Sequence, residues 1–437
     1  MVRNNRLNWW QLSLFGVGCT IGSGFFLGSG IAIAQSGIWV LVTFILAALA
    51  TLFVYEALAQ MMVKHPSTGS FRTYAKKAFG RPAGFSMGWM YWSSEILILG
   101  STLTALGIFS QVWLSQAPLW LLSAGYALLG LFVVVLGSKS VNRAENFFAV
   151  IKIAAVLAFI LVVGMMIYRG SIMTQSLGVK AQVWGSSGLQ GAWKGFLYAF
   201  YAYGGIEVMG FMGSELRKPE DAPKAGRVML ASVTLLYTLS LALVLWMTAP
   251  DKITPHKAPI ISALETVHAE VLIQILNGVM IVAGFSILVA SLYAVSTMLM
   301  TLAQEGDAPK LLTVTKGKRK LPLYAIVVNA AALSVSIVLA LLLPKHIYGH
   351  LTTAAGLVIL YTWLFILVSY LKLLKPGYAG QIKTWIAVLL ILTAVSGTLA
   401  EKSGRPGFWF SLLLVSVITA LTLVMKRVWA RRSPHRS

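Results

Sequence analysis

The sequence predicts an all-α membrane protein with about twelve transmembrane helices, arranged as two five-helix repeats of opposite orientation plus two C-terminal helices. Three observations support this prediction. Hydrophobic residues make up 58% of the 437 residues and charged residues only 11%, whereas soluble chains carry about 25% charged residues. Apolar runs of about 20 residues, the length that crosses a bilayer, recur along the whole chain. Glycine clusters interrupt the first and the sixth of these runs.

The apolar runs define twelve predicted spans, numbered here in chain order. They cover residues 9–34, 38–62, 83–112, 118–136, 145–168, 193–213, 227–249, 270–303, 322–343, 350–373, 383–400 and 407–427. Spans 1–5 (residues 9–168) form the first repeat, spans 6–10 (residues 193–373) the second, and residues 383–427 the two extra helices. Because each repeat has an odd number of helices, the two repeats cross the membrane in opposite directions. Residues 1–437 are therefore predicted to be a single polytopic membrane domain.

The basic residues predict the orientation of the spans. Among the 35 Lys and Arg, roughly three times as many lie at the chain ends and in the loops on their side as in the opposite loops. Loops that face the cytoplasm carry such an excess. The first apolar run is too long for a signal peptide and is expected to be retained as span 1. The predicted location is the cytoplasmic (inner) membrane, in contact with lipid, with both termini in the cytoplasm.

Several other classes of function are disfavoured by the composition. The net charge of +22 does not indicate nucleic-acid binding, because the basic residues are spread over short loops. A single cysteine, Cys19, excludes an internal disulfide, and the six histidines form no cluster typical of a metal site. No Ser–His–Asp set and no phosphate-binding loop is present. We therefore predict no enzymatic activity, no cofactor and no metal.

The interrupted spans point to a binding site. Span 1 is broken around Thr20-Ile21-Gly22-Ser23-Gly24, and span 6 around Tyr203-Gly204-Gly205-Ile206-Glu207. Paired interruptions at matching positions of two repeats are typical of transporter sites. Backbone groups freed at mid-membrane must line a cavity or find partners, and freed N–H groups attract a carboxylate while freed carbonyls attract an ammonium group. The alternative is that the glycines only allow close helix packing; their presence in both repeats favours a site for a zwitterion.

Five segments resemble the amino acid permeases of the amino acid–polyamine–organocation superfamily, most closely its proton-coupled branch. The segments are Gly18 to Gly30, Gly69-Ser70-Phe71 with Tyr74, Gly84 to Trp92, Phe200 to Glu207 with Glu215, Pro219 and Pro223-Lys224-Ala225, and Leu302 to Lys310. Each segment alone is a weak signal, but five in order at the right spacing are specific. The resemblance covers about residues 5 to 425.

The resemblance implies a LeuT-like fold and an amino acid substrate. The substrate carboxylate is expected at the amides of Ser23 and Gly24, and its amine near carbonyls of Ile21, Tyr201 and Gly204. The full set of implied binding residues is Thr20, Ile21, Gly22, Ser23, Gly24, Tyr201, Gly204 and Gly205. Two departures leave the substrate and the coupling ion open: Thr297 stands where the family usually has arginine, and Glu95 where it often has tryptophan.

Four charged residues fall inside predicted spans, where such residues are costly and usually functional. Glu207 follows the span-6 break and is predicted to carry a proton or shape the site; the alternative is a cap on the unwound segment. Lys152 matches a lysine that binds the proton in some family members, and it is predicted to do the same here. The alternative is that its side chain extends to the cytoplasmic interface. Glu95 could bind a substrate amine or a proton; the alternatives are a buried pair with Lys152 or a polar contact between helices. Glu56 is expected to be structural.

The function that best fits these observations is secondary active transport of amino acids, most simply proton-coupled uptake by symport. An amino acid exchanger would use the same site and differ only in whether the empty carrier returns. A transporter of polyamines or other organic cations is a further alternative. A membrane sensor for amino acids would need a cytoplasmic output domain, and the roughly 20-residue cytoplasmic segments disfavour it.

Overall fold

The fold is all-α and polytopic, as predicted. The computed structural model describes residues 6–67, 69–136, 138–170, 188–315, 322–343 and 346–432. Within these ranges, ten helical stretches are long and apolar enough to cross a membrane, the first of them running from Ser23 to Lys64 through the second half of span 1 and all of span 2. These ten stretches account for spans 2–5 and 7–12. Together with the interrupted spans 1 and 6, the total is about twelve, as predicted.

The helices have the following bounds. Span 1 comprises Trp9–Thr20, Ser23–Phe26 and Gly28–Ser36, and span 6 comprises Gly188–Ala202 and Ile206–Met212. The continuous spans are Val40–Lys64, Arg81–Gln111, Leu119–Leu136, Ser138–Tyr168, Ala222–Met247, Glu270–Gln304, Leu323–Leu342, Ile347–Leu374, Tyr378–Ala400 and Arg405–Arg432, and short helices Ser70–Phe79 and Pro259–Glu265 precede spans 3 and 8. Several begin up to seven residues before the predicted starts, because polar residues at the membrane surface continue a helix that hydropathy alone does not detect.

Both predicted breaks are present, and they touch each other. Gly22 separates the two halves of span 1 in an extended conformation (φ −162°, ψ −154°). Gly205 lies in the left-handed region (φ 112°), which favours glycine. A Cβ atom at Gly205 would lie 2.9 Å from the Cys19 carbonyl oxygen. Only glycine therefore allows span 6 to approach span 1 this closely. The two breaks therefore form one continuous unwound region at the centre of the protein.

The spans pack in an inner group and an outer group. Span 1 packs on spans 5 and 7, and span 3 packs on spans 8 and 10. Spans 3 and 10 are mostly buried in the protein, whereas no more than about a third of the residues of spans 4, 5, 9, 11 and 12 are buried. Apolar side chains on those exposed surfaces are suited to lipid contact. The inner group, together with the two breaks, surrounds the candidate site described below.

Ion pairs secure the side of the protein on which the N-terminal segment lies. Arg72 of the short helix Ser70–Phe79 contacts Glu305 (2.8 Å) and Asp307 (2.7 Å) after span 8, and Arg81 contacts Asp307 (3.0 Å). Partial burial opposes ionisation of Glu305, but hydrogen bonds from Lys76 and Arg72 outweigh it and lower the pKa of this carboxyl group. The network fixes the short helix to the ends of spans 3 and 8.

Two further contacts define the same side. Leu7 pairs with the loop after span 6, donating to the Glu215 carbonyl (2.8 Å) and accepting from the Arg217 N–H (2.9 Å). Glu56 in span 2 forms ion pairs with Lys383 (2.8 Å) and Arg227 (3.5 Å), which agrees with a structural role for this carboxylate. We call this face, which carries the N-terminal segment, the terminus side.

Candidate substrate site

A cavity of about 410 Å³ lies against both helix breaks. Its wall contains seven of the eight residues predicted to bind substrate: Thr20, Gly22, Ser23, Gly24, Tyr201, Gly204 and Gly205. The eighth, Ile21, is fully buried and lies outside the cavity wall. Spans 3, 8 and 10 supply much of the remaining wall. The chain therefore brings together, in one cavity, residues that are about 180 positions apart in sequence.

The span-1 break presents unused hydrogen-bond donors to this cavity. The N–H groups of Phe25 and Phe26 bond to the Gly22 carbonyl (3.0 and 2.9 Å). In the described part of the chain, no acceptor takes the N–H groups of Gly22, Ser23 or Gly24. These three groups start the second half of span 1, where the helix dipole also favours negative charge. The arrangement is suited to binding a carboxylate.

Carbonyl groups of the two breaks are held by side chains from other spans. The Tyr237 hydroxyl in span 7 lies within hydrogen-bond distance of the Thr20 carbonyl (3.0 Å) and the Ala202 carbonyl (3.2 Å). It thereby bridges span 1 and span 6. The Gly204 N–H donates to the Tyr201 carbonyl (3.1 Å), which keeps a second lone pair for another donor.

Hydroxyl groups close the cavity on the side away from the termini. The Tyr201 hydroxyl bonds to Ser101 Oγ (2.6 Å), and the Tyr348 hydroxyl donates to the Ser23 carbonyl (2.8 Å). Ser23 Oγ also contacts Thr102 Oγ1 (3.3 Å). On the terminus side the wall continues past the break to Gly69, Arg72, Glu215 and Thr301. Since Glu215 is exposed, the cavity reaches the surface on that side.

Lys152 lies beside the span-1 break but not in the cavity wall. Its side chain is completely buried, and Nζ donates to the Gly18 carbonyl (2.7 Å) in the last turn of the first half of span 1. The alternative that this lysine extends to the membrane surface does not fit its burial. A helix C-terminus favours a cation, so the ammonium group is well placed at this point.

Glu207 caps the span-6 break. One carboxylate oxygen accepts the Gly205 N–H (2.9 Å), and the other accepts the Trp363 indole N–H from span 10. The side chain is buried and lies outside the cavity wall. This geometry is that of a cap on the unwound segment, the alternative to a proton-carrying role for Glu207.

Glu95 is the acidic residue in the middle of the cavity wall. It is 4% exposed and lies beside Tyr91 and Ser291. No ion pair with Lys152, or with any other described basic residue, is present. Thr297 also lines the cavity, and its hydroxyl donates to the Tyr293 carbonyl (3.0 Å) of its own helix.

Some residues at the site were not anticipated from the sequence. They are Tyr237, Tyr348, Ser101, Thr102, Trp363 and Ile287. Ile287 of span 8 packs so closely on Gly22 that a Cβ there would lie 2.1 Å from its Cδ1 atom. The only sequence signal for the hydroxyl residues is their polarity inside apolar spans, which does not tell which carbonyl each will meet.

Comparison with known proteins identifies the family. Residues 11–383 match the amino acid permease family model, labelled "Amino acid permease". The chain belongs to the amino acid permease family. It is therefore a multi-pass membrane transporter of a family that carries amino acids. The family predicted from the sequence is confirmed. The assignment of this chain to the proton-coupled branch stays a prediction.

Similar proteins span nearly the whole chain. An "uncharacterized transporter YcgH" of Bacillus subtilis is 48% identical over 425 residues, covering 96% of this chain and 95% of its own. A gamma-aminobutyric acid permease of Bacillus subtilis is 27% identical and covers 97% of this chain and 92% of its own. The aromatic amino acid transport protein AroP of Escherichia coli K12 is also 27% identical, covering 93% of this chain and 91% of its own.

The fold also matches solved structures. A crystal structure of a manganese transporter from Eremococcus coleocola superposes with a TM-score of 0.59 at 13% sequence identity, covering 97% of this chain and 94% of the other. At this identity the likeness concerns the fold alone. It agrees with the predicted all-α, LeuT-like class. The repeat boundaries 9–168, 193–373 and 383–427 stay predictions.

Proposed function

We propose that this permease takes up amino acids across the cytoplasmic membrane by proton-coupled symport. The observation that carries the proposal is the pairing of two features at the span-1 break: unused N–H donors on the cavity wall and a buried lysine on the Gly18 carbonyl. The first feature suits a substrate carboxylate. The second supplies a titratable cation next to the same break.

The substrate would lie across the two breaks. Its carboxylate would accept hydrogen bonds from the amides of Ser23 and Gly24, and its ammonium group would donate to the carbonyls of Tyr201 and Gly204. Charge-assisted bonds of this kind are shorter and stronger than neutral ones, particularly in a site shielded from water. A polyamine, which has no carboxylate, would leave the free N–H groups of the break without a partner, so this arrangement favours amino acids over polyamines.

The proton would be carried by Lys152. When charged, its ammonium group is attracted by the C-terminal end of the first half of span 1. Loss of the proton removes that attraction and loosens the first half of span 1. The cavity can then close on one side of the membrane and open on the other. Glu207 is less suited to this role, because both of its oxygens already accept hydrogen bonds that hold the span-6 break.

The orientation of the cavity fits an importer in an inward-facing conformation. The cavity reaches the surface on the terminus side. The excess of Lys and Arg in the loops of that side favours a cytoplasmic location for it and for both termini. Hydroxyl bonds from Ser101, Thr102 and Tyr348 would then separate the substrate from the external side.

Uptake into proteoliposomes tests the proposal. Radiolabelled amino acids should accumulate when the external pH is lower than the internal pH, and an ionophore that abolishes the pH gradient should stop the accumulation. If labelled substrate enters only in exchange for internal unlabelled substrate, whatever the gradient, the protein is an exchanger. If no amino acid of a full panel enters under either condition, the proposed function is wrong.

A further inference from the structure

The cavity contains a buried acid without a matching base. Glu95 lies on its wall and, within the described residues, forms no ion pair. Two basic groups in or beside the cavity wall have other partners: Lys152 bonds to the Gly18 carbonyl, and the Arg72 guanidinium bonds to Glu305 and Asp307. Burying a carboxylate is costly unless a cation or hydrogen-bond donors compensate it. The hydroxyl groups of Tyr91 and Ser291 lie beside Glu95 and can donate hydrogen bonds to it, but they supply no positive charge. The compensating cation can therefore come from the bound ligand.

The distance from the carboxylate site to Glu95 limits what that ligand can be. Thr102, which contacts Ser23 at the break, marks the point of span 3 that lies beside the carboxylate site. Glu95 precedes Thr102 by two helical turns on the same face, which separates them by about 10 Å along the helix axis. The α-ammonium group of an amino acid is one carbon away from its carboxylate. It cannot reach Glu95 while the carboxylate stays at the break.

The wall between these two points is apolar. Ile98 lies between Glu95 and Thr102 on the same face of span 3 and lines the cavity. On the opposing span 8, Ile287 contacts Gly22 at the break, and Ser291 lies one turn further, beside Glu95. The cavity therefore offers amide donors at one end, methyl groups in the middle, and a carboxylate with a hydroxyl at the other end. A long aliphatic chain with a terminal cation complements that sequence of groups.

We infer that Glu95 binds the charged end of the substrate side chain and that the permease transports cationic amino acids such as lysine, ornithine or arginine. This inference rests on the proposed function, because it takes the carboxylate site at the span-1 break as the second point of attachment. Glu95 is thus a specificity-determining residue, whereas Lys152 carries the proton. Thr297 lines the same cavity on span 8, about 9 Å beyond Ser291 along the helix axis, and its side chain is small.

Equilibrium binding to the purified full-length protein tests the inference. Lysine and norleucine form a matched pair, because the norleucine side chain is aliphatic and lacks the terminal ammonium. Lysine should bind about 10- to 100-fold more tightly than norleucine, as expected for a hydrogen bond between charged groups. Glu95→Gln should remove this preference, and Glu95→Asp, which keeps the charge, should retain part of it. Glu270→Gln, the same change at an exposed position at the start of span 8, should leave the preference unchanged.

Three outcomes would overturn the inference. Norleucine could bind the wild-type protein as tightly as lysine, or Glu95→Gln could retain the preference. Glu95→Gln could also leave the binding of both ligands unchanged while abolishing uptake driven by a pH gradient, in which case Glu95 carries the proton. Absence of binding by every amino acid would instead contradict the proposed function itself. Size-exclusion profiles of each variant show whether the folded state is retained.

Discussion

The two helix breaks resemble each other in sequence but differ in how their backbone groups are satisfied. In span 6, the freed Gly205 N–H is bonded by Glu207 two residues later, and span 10 fixes Glu207 through Trp363. In span 1, nothing in the described chain accepts the N–H groups of Gly22, Ser23 and Gly24. The Gly205 N–H of the span-6 break thus has a partner within the protein, while the corresponding N–H groups of the span-1 break are left for a ligand. The difference shows that a glycine interruption indicates an unwound segment but not whether it binds substrate.

The cause of the difference lies in the residues that follow each break. Span 6 resumes with an acidic residue in its first turn, which can fold back onto the amides. Span 1 resumes with Ser23 and Gly24, and the Ser23 hydroxyl contacts Thr102 instead of its own helix. An acid at the start of the second half of span 1 would occupy the donors proposed for the substrate carboxylate.

The largest effect is expected from Gly205→Ala. Alanine is strained at a φ of 112°, and its Cβ would lie 2.9 Å from the Cys19 carbonyl, so the two breaks could not keep their contact. We expect loss of uptake and a clearly lower melting temperature of the purified protein. Gly164→Ala in span 5, where a Cβ meets nothing within 4 Å, is the matched control and should be near wild type. A fully active Gly205→Ala variant would mean that the breaks need not touch.

The next largest effect is expected from Lys152→Gln, which keeps a donor near the Gly18 carbonyl but cannot titrate. Accumulation driven by a pH gradient should be lost. Exchange of labelled for unlabelled substrate should persist, because exchange does not require the empty carrier to return. The exposed Lys372→Gln variant serves as the control and should accumulate substrate normally. Wild-type accumulation by Lys152→Gln would remove the proton role from this lysine.

A more moderate effect is expected from Glu207→Gln. The amide can accept one of the two hydrogen bonds that the carboxylate accepts now, so the cap should weaken by about 1–3 kcal/mol without disappearing. The melting temperature should fall, but gradient-driven accumulation should continue at a reduced rate. Complete loss of coupling with intact exchange would show instead that the span-6 break carries the proton, which would reverse the roles assigned to the two breaks.

The smallest effect concerns Cys19, which lines the cavity and is partly exposed. A small thiol reagent should modify it and inhibit uptake, and saturating substrate should slow the modification. The rate is followed by mass spectrometry of the intact protein, with a Cys19→Ser variant as the unlabelled reference. Equal labelling rates with and without every transported amino acid would argue that substrate does not bind beside the span-1 break.

The sequence predicts the fold and the position of the site because both depend on local patterns. Apolar runs of fixed length locate the spans, and the glycines around positions 22 and 205 locate the breaks. Seven of the eight predicted binding residues line the cavity for that reason. Whether these residues contact substrate stays a prediction.

Other features of the site depend on contacts between distant spans and cannot be read from local patterns. The sequence does not tell that Tyr237 bridges Thr20 and Ala202, or that Tyr348 reaches the Ser23 carbonyl. It also leaves open which way a charged side chain faces. Glu95 and Glu207 are both acids inside spans, yet one lines the cavity and the other caps a break. That distinction depends on helix rotation, which is set by packing over the whole bundle.

The central claim is that the unused amides of the span-1 break hold the substrate carboxylate. The most direct measurement compares the binding of a transported amino acid with that of its decarboxylated analogue, which keeps the side chain and the amine. Loss of a charge-assisted interaction should weaken binding by about 10- to 100-fold. An analogue that binds as tightly as the parent amino acid would contradict the claim and favour a transporter of organic cations.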